Sequence, residues 1–171
     1  MLDKSFYTRD AITVAKDLLG KKICCNGREA IIIETEAYTI SDPGSHAYKK
    51  KTKRNSVMYD EGGVLYIYLC YGMHELMNIV TDKEGMPSAV LIRAVEPVKG
   101  IKGKTNGPGL VTKALGITRE HNGMSLTSKE LWIEKGIKPE EIIQTTRIGL
   151  SQGGGLPYRF YIKNNPLVSK K

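Results

Sequence analysis

Two carboxylates stand one residue apart at the end of an apolar run, in Ile31-Ile-Ile-Glu-Thr-Glu-Ala-Tyr38, and a histidine, His46, follows in the next loop. The β-branched isoleucines favour a strand that is at least half buried. Alternation along it puts Ile32, Glu34, Glu36 and Tyr38 on one face, with about 6.5 Å between successive side chains. An acid held beside a phenol and a hydrocarbon patch is partly desolvated, which raises its pKa and makes it a better base. Activation of water is the chemistry such a group would perform. A strand end running out into solvent, with both acids simply hydrated, produces the same letters, so this stretch alone leaves both readings open.

Other residues that could do chemistry lie downstream. Lys49, Lys50, Lys51, Lys53 and Arg54 put five positive charges into six residues, directly after the loop with His46. They are either a solvated run or a set of phosphate contacts beside a pocket. In Val64-Leu-Tyr-Ile-Tyr-Leu69, Tyr66 and Tyr68 share a face with Val64, and Gly72 then breaks the strand so that Tyr71 falls at a turn. A large aromatic at a turn is either a binding element or folded back on the core. Arg93 interrupts an almost wholly apolar strand, Ser88 to Val95, where a guanidinium requires a partner. Glu34, Glu36 and Glu96 are the candidates, in a structural ion pair or around a substrate anion.

Several familiar patterns fail. His74-Glu75-Leu-Met-Asn78 begins like a zinc-protease helix but has Asn where the second His ligand belongs. No PCxxC segment, phosphate-binding loop, GxGxxG or GxSxG elbow occurs. A site without metal or cofactor is the expectation.

The elements that must position these groups are readable in outline. Thr8 is placed to cap a helix from Asp10 to Leu19, with Gly20 as its stop. Asn26-Gly27 between Lys22–Cys25 and Arg28–Glu34 is a strong hairpin signal, which makes the acidic strand its second arm. Met77–Thr81 reads as a strand, and Ser88–Val95 as a central one. Pro108 opens a helix that ends at Leu115 before Gly116. Residues 117 to 135 carry little signal beyond a packing role for Trp132. Pro139-Glu-Glu reads as a short helical or turn segment, and Pro157–Ile162 as a closing strand.

The chain has 171 residues, 40% hydrophobic and 26% charged, which suits one well-packed domain. A net charge of +8 and a pI near 9.3 point to a polyanionic partner, nucleic acid before an anionic membrane. Cys24, Cys25 and Cys70 form neither a disulfide framework nor a zinc pattern, so a reducing compartment is expected. The amino terminus lacks a signal-peptide core, and no run approaches the roughly 18 apolar residues of a membrane span. The expected location is the cytoplasm, in association with chromosomal DNA.

Taken together, Glu-Thr-Glu-Ala-Tyr38, Ser45-His46, Arg54-Asn55, Leu-Tyr-Ile-Tyr-Leu-Cys-Tyr-Gly-Met73, Asn78, Leu-Ile-Arg93-Ala-Val-Glu-Pro97, Asn-Gly-Pro-Gly109, Arg147-Ile-Gly and Tyr158-Arg-Phe-Tyr161 resemble the alkyladenine (3-methyladenine) DNA glycosylase family, in order from about residue 5 to residue 169. The resemblance implies a single mixed α+β domain with a curved, largely antiparallel sheet surrounded by helices. It implies no cofactor, double-stranded DNA containing damaged purines as the partner, and a monomer. By the same resemblance Glu36 is the general base that activates water, and Arg93 helps to hold that water and a neighbouring phosphate. Tyr38 on one side, with His46 and Tyr68 on the other, would sandwich a flipped base, and Tyr71 would wedge into the duplex. Asn78 would disfavour the amine of normal guanine, and the backbone carbonyl of Ile148 would contact the water. The product would be an abasic site in an intact strand. One departure is the short segment 98–105, where the family carries a longer insertion. A non-catalytic binder of damaged or single-stranded nucleic acid, and a basic RNA-associated domain, are the competing readings.

Overall fold

Asn26 and Gly27 have φ of 49° and 76°, the two left-handed residues that a two-residue hairpin turn of matching twist requires. They join β1 (Lys22–Cys25) to β2 (Arg28–Tyr38), and β2 runs on to Tyr38, well beyond the arm expected from the hairpin alone. In the computed structural model of the protein, which describes residues 1–169, the remaining strands are β3 (Leu65–Cys70), β4 (His74–Thr81), β5 (Ser88–Lys99), β6 (Leu131–Glu134), β7 (Ile142–Thr145) and β8 (Arg159–Ile162). The order is β3-β4-β5-β2-β1-β6, every pairing is antiparallel, and β8 takes over from β1 along the far half of β2, with β7 outside it. The sheet curls into a half-barrel in a single α+β domain.

The curl is concentrated where β2 meets β5. Ile32 pairs with Val95 and Glu34 with Ala94, so Ile33 is extra on β2; Thr35 then pairs with Ile92, so Arg93 is extra on β5. Two bulges, one per strand, bend the pair and shift which side chains face which way. Ala30 and Ile32 face the main core, but beyond the bulge Thr35 and Ala37 do; Val90 and Ile92 are matched by Val95. This corrects the simple alternation. Ile32 does not share a face with Glu34, Glu36 and Tyr38, whereas the bulge on β5 turns Arg93 onto the carboxylate side.

The main core lies between the other face of the sheet and the helices α2 (Ala11–Leu18) and α3 (Pro108–Leu115), with Val14, Leu18, Val111 and Leu115 packed on Ile23, Ile32, Ile67, Met77 and Ile92. Asp10, not Thr8, caps α2, accepting from the Thr13 N–H at 2.9 Å; Thr8 ends a one-turn helix α1 (Lys4–Tyr7) that the sequence does not announce. β5 continues through Pro97 to Lys99, past its expected end, and the short segment after it returns so that the Val95 N–H bonds the Thr105 carbonyl at 3.2 Å. No helix forms at Pro139-Glu-Glu; the next residues pair with β8 instead. Trp132 is half-buried on the edge strand β6 and donates to Glu134 Oε2 at 2.8 Å. No helix among the described residues is long and apolar enough to cross a membrane.

Candidate active site

The bulged crossing of β2 and β5 builds the site. Glu36 is wholly buried on β2, a position that would be costly for an acid without donors. It has three: the Tyr38 hydroxyl donates to Oε2 at 2.8 Å, the Ile148 backbone N–H to Oε1 at 3.0 Å, and Arg93 Nη1 lies 3.3 Å from Oε1. Burial and then the neighbouring Glu36 charge push the Tyr38 phenol well above its ordinary pKa, so it stays protonated and donating at neutral pH. A carboxylate has about four acceptor positions, so these partners leave room for one further donor such as water.

Glu34, two residues earlier and equally buried, is treated differently. It accepts Arg159 Nε at 2.7 Å, the Ser169 N–H at 2.6 Å and the Ser169 hydroxyl at 2.8 Å, and pairs with Arg93 Nε at 3.3 Å. Arg93 therefore bridges both acids and not Glu96, which accepts from Asn165 at 2.7 Å instead.

In front of Glu36, Tyr38 forms one wall of a pocket shared with His46, Tyr66, Tyr68, Asn78 and Leu150, over Met58 and Ala89. Strand alternation delivers Tyr66 and Tyr68 to this face of β3, Asn78 to β4 and Ala89 to β5. The two tyrosines stack at 5.6 Å, and His46 meets Tyr68 edge-on at 4.3 Å while its Nδ1 lies 3.1 Å from the Tyr66 hydroxyl. His46 keeps an exposed edge, but the rings that cover the rest of it, and then the charge of Arg54, lower the imidazole pKa, which favours its neutral form at pH 7. Asn78 is buried with its amide donating to the Tyr66 carbonyl at 3.3 Å, which directs its other end away from that strand.

The pocket has a fastened lid. Arg147 and Asp42 form a fully buried two-pronged ion pair, with Nη2 to Oδ1 at 2.8 Å and Nη1 to Oδ2 as the second contact. Arg147 also donates to the carbonyls of Ala37 at 2.9 Å and Gly153 at 2.8 Å, and its guanidinium lies 4.6 Å over the Tyr38 ring. Burial opposes its charge, but the Asp42 bonds and charge outweigh that and raise its pKa. Gly153, at φ 67°, is where the loop passes Asp42; a Cβ there would come within 2.7 Å of Oδ1. This anchor brings Ile148 to Glu36 and Leu150 to the pocket.

Beyond the pocket, Lys49, Lys50, Lys51, Lys53 and Arg54 are all exposed, on a loop pinned by buried Asn55 through the carbonyls of His46 and Lys50. Arg54 leans over Tyr68 at 5.8 Å and Lys51 over Tyr59 at 5.1 Å. Tyr71 occupies the tip of the β3–β4 hairpin at φ 50° and is 88% exposed, so it is not folded back on the core. A bulky residue held in the left-handed region and projecting into solvent is costly on both counts.

A sequence model described as methylpurine-DNA glycosylase (MPG) matches residues 5–166, almost the whole chain. The chain belongs to the methylpurine-DNA glycosylase family. It is 48% identical, over 190 aligned positions covering all of both chains, to a protein of Carboxydothermus hydrogenoformans named "Putative 3-methyladenine DNA glycosylase". Relatives carrying the same name in Methanoculleus marisnigri and Legionella pneumophila (strain Corby) are 42% and 45% identical, over 99% of this chain and 99% and 98% of theirs. The alignments run longer than this chain, so these relatives carry residues that it lacks. For a methylpurine-DNA glycosylase, membership implies a DNA N-glycosylase, a hydrolase acting on DNA.

Within that family frame, the fold gathers Glu36, Arg93, Tyr38, His46, Tyr68 and Asn78 around one cavity and its rear wall. Tyr71 and the lysines lie on the surface outside it. Ile148 also offers Glu36 its N–H, a contact that the sequence did not suggest. Asp42 and Leu150 carry no local signal, and Arg147 and Asn55 stand in the sequence only as parts of motifs, with no role attached. Tyr66 was within reach, since its alternation with Tyr68 already placed both on one face.

Proposed function

We propose that the protein excises alkylated or deaminated purines from duplex DNA by hydrolysis, with Glu36 activating the water. The observation that carries this reading is a wholly buried Glu36 carboxylate, held by Arg93, Ile148 and Tyr38, the last of which also lines an aromatic pocket. A damaged nucleotide swings out of the helix, at a cost of a few kcal/mol that is smaller for a damaged base. Its base enters between Tyr38 and the His46–Tyr68 pair, where stacking returns about 1–3 kcal/mol. A cationic alkylpurine gains roughly 0.5–2 kcal/mol more from the electron-rich rings, and a neutral His46 does not repel it. The enclosed space is only about 40 Å³, so the His46 or Leu150 side chain yields as the ring enters.

Glu36 takes a proton from water as the oxygen bonds to C1′. The C1′–N bond breaks and its electron pair leaves with the base, which neutralises an alkylpurine cation; a neutral deaminated purine leaves as an anion and takes up a proton from solvent. Arg93 stabilises the carboxylate and a nearby phosphate, and Asn78 selects against the amine of normal guanine. Tyr71 fills the gap left in the stack, while Lys49, Lys50, Lys51, Lys53 and Arg54 hold phosphates without reading sequence. No lysine lines the pocket among the described residues, so no Schiff base forms and the strand remains intact.

The test is Glu36→Gln, assayed on duplexes each carrying one lesion, with alkali cleavage to reveal abasic sites. Base release should be lost while lesion-duplex binding persists. Release at the wild-type rate would refute the mechanism, and absence of release from the wild type on every lesion would favour a non-catalytic damaged-DNA binder.

A further inference from the structure

We infer that Glu34 and Ser169 form a clasp that sets the orientation of Arg93, making both of them positioning residues for base release; this rests on the reading of Glu36 and Arg93 above. A guanidinium is planar, and its donors are fixed relative to one another, so an acceptor on one edge decides where the other edge points. On Arg93 the Nε edge faces Glu34 Oε1 at 3.3 Å and Ser169 Oγ at 3.4 Å. The same plane then brings Nη1 to 3.3 Å from Glu36 Oε1.

The Ser169 hydroxyl has a double role. It donates to Glu34 Oε1 at 2.8 Å and accepts from Arg93 Nε, while the Ser169 N–H takes the other Glu34 oxygen at 2.6 Å. Arg159 Nε completes the set at 2.7 Å. Glu34 is thus held from one side by β8 and from the other by the segment after it. Its negative charge stays where it opposes Arg93 and cannot swing toward Glu36. Glu34 is wholly buried and Arg93 nearly so.

Removing the Ser169 hydroxyl takes one acceptor from Arg93 and one donor from Glu34. The guanidinium is then free to turn further onto Glu34, drawing Nη1 away from Glu36. A displacement of this kind at a reacting centre slows the chemical step far more than it weakens binding.

Ser169 is half-buried beyond the last strand, so Ser169→Ala should fold. Single-turnover release of an alkylated purine should fall roughly tenfold, with lesion-duplex affinity and melting temperature near wild type, and Ser169→Thr should restore the rate. Hydrogen exchange at the Arg93 Nε–H, followed by nitrogen-15 NMR in the protein without DNA, should speed up in Ser169→Ala and in Glu34→Gln. A wild-type release rate in Ser169→Ala, or failure of Ser169→Thr to restore a slowed one, would overturn the proposal. So would a slowed rate that merely follows a lowered melting temperature. If the wild type released no base at all, the functional reading would fall, and the exchange measurement would still decide whether the clasp holds Arg93.

Discussion

Glu34 and Glu36 occupy the same strand, are equally buried, and share one arginine, yet the regions around them are built for opposite ends. Around Glu34 the acceptor positions are filled by Arg159, Ser169 and Arg93, and the carboxylate is wholly buried among the described residues. Around Glu36 the donors come from behind and beside it, and the Tyr38 ring that donates to it is also a pocket wall. Burial and ion pairing therefore do not by themselves separate a structural carboxylate from a reactive one. What separates them is whether the acceptor positions are exhausted and whether a cavity lies within one side chain. The bulge at Ile33–Glu34 permits both, since it turns the two acids onto the polar face without disturbing the core beneath.

The sharpest way to break this contrast is to neutralise each acid in turn. Glu36→Gln should reduce single-turnover base release by about 10²–10⁴-fold, the usual worth of a general base. Glu34→Ala should instead act first on the fold, taking from buried Arg93 one of its two acidic partners and costing about 3–5 kcal/mol in chemical denaturation. Equal effects of the two on both measurements would mean that the closed and open regions are not distinct.

The lid tests the open side alone. Arg147→Ala leaves Asp42 buried without its partner and should cost about 3–5 kcal/mol in stability. Release by the fraction that remains folded should also fall, because Ile148 and Leu150 lose their anchor. A stable variant with normal release would show that the Asp42 pair does not hold the loop.

The parts of this arrangement that could be read from the sequence are those set by local chemistry. Asn26-Gly27 dictates its turn, Pro108 and Gly116 bracket α3, and the tyrosine alternation of β3 survives intact. The paired bulges could not be read, because an extra residue on β2 is defined only by what β5 does opposite it. Asp42 and Arg147 are 105 residues apart, and nothing near either names the other. Ile142–Thr145 is a strand because β8 offers it an edge, which overrides the weak turn signal of Pro139. The candidate site residues were legible through their resemblance to a family, whereas the supporting residues Ser169 and Arg159 appear only once the chain is folded.

Surface contacts on the open side should affect binding without affecting the fold. Tyr71→Ala should weaken lesion-duplex affinity by about 1–3 kcal/mol, the worth of one stacked ring. Its stability should be unchanged or slightly improved, since the side chain is 88% exposed and its backbone is in the left-handed region. Loss of stability in place of affinity would return Tyr71 to a structural role.

The smallest effect expected is a dependence on pH, and it belongs to His46. Its folded pKa lies below the usual value near 6.5, through partial desolvation by the tyrosines and then the Arg54 charge, and its exposed edge keeps the shift small. Between the two values the unfolded chain binds more protons than the folded one, so stability rises with pH there. This contribution is complete above the unfolded value, declines as pH drops below about 6.5, and levels off once the folded imidazole is also protonated. No such histidine faces Glu34, so the dependence marks the open region alone. Denaturant melts of the wild type and His46→Gln from about pH 7.5 to 5 should diverge only in the acidic half, with the wild type losing more. Since the same protonation would place a second positive charge beside a cationic base, release of alkylated purines should weaken over the same interval. Parallel curves for the two proteins would show that the partly exposed His46 ring is not held against Tyr66 and Tyr68, and would remove one wall of the proposed base sandwich.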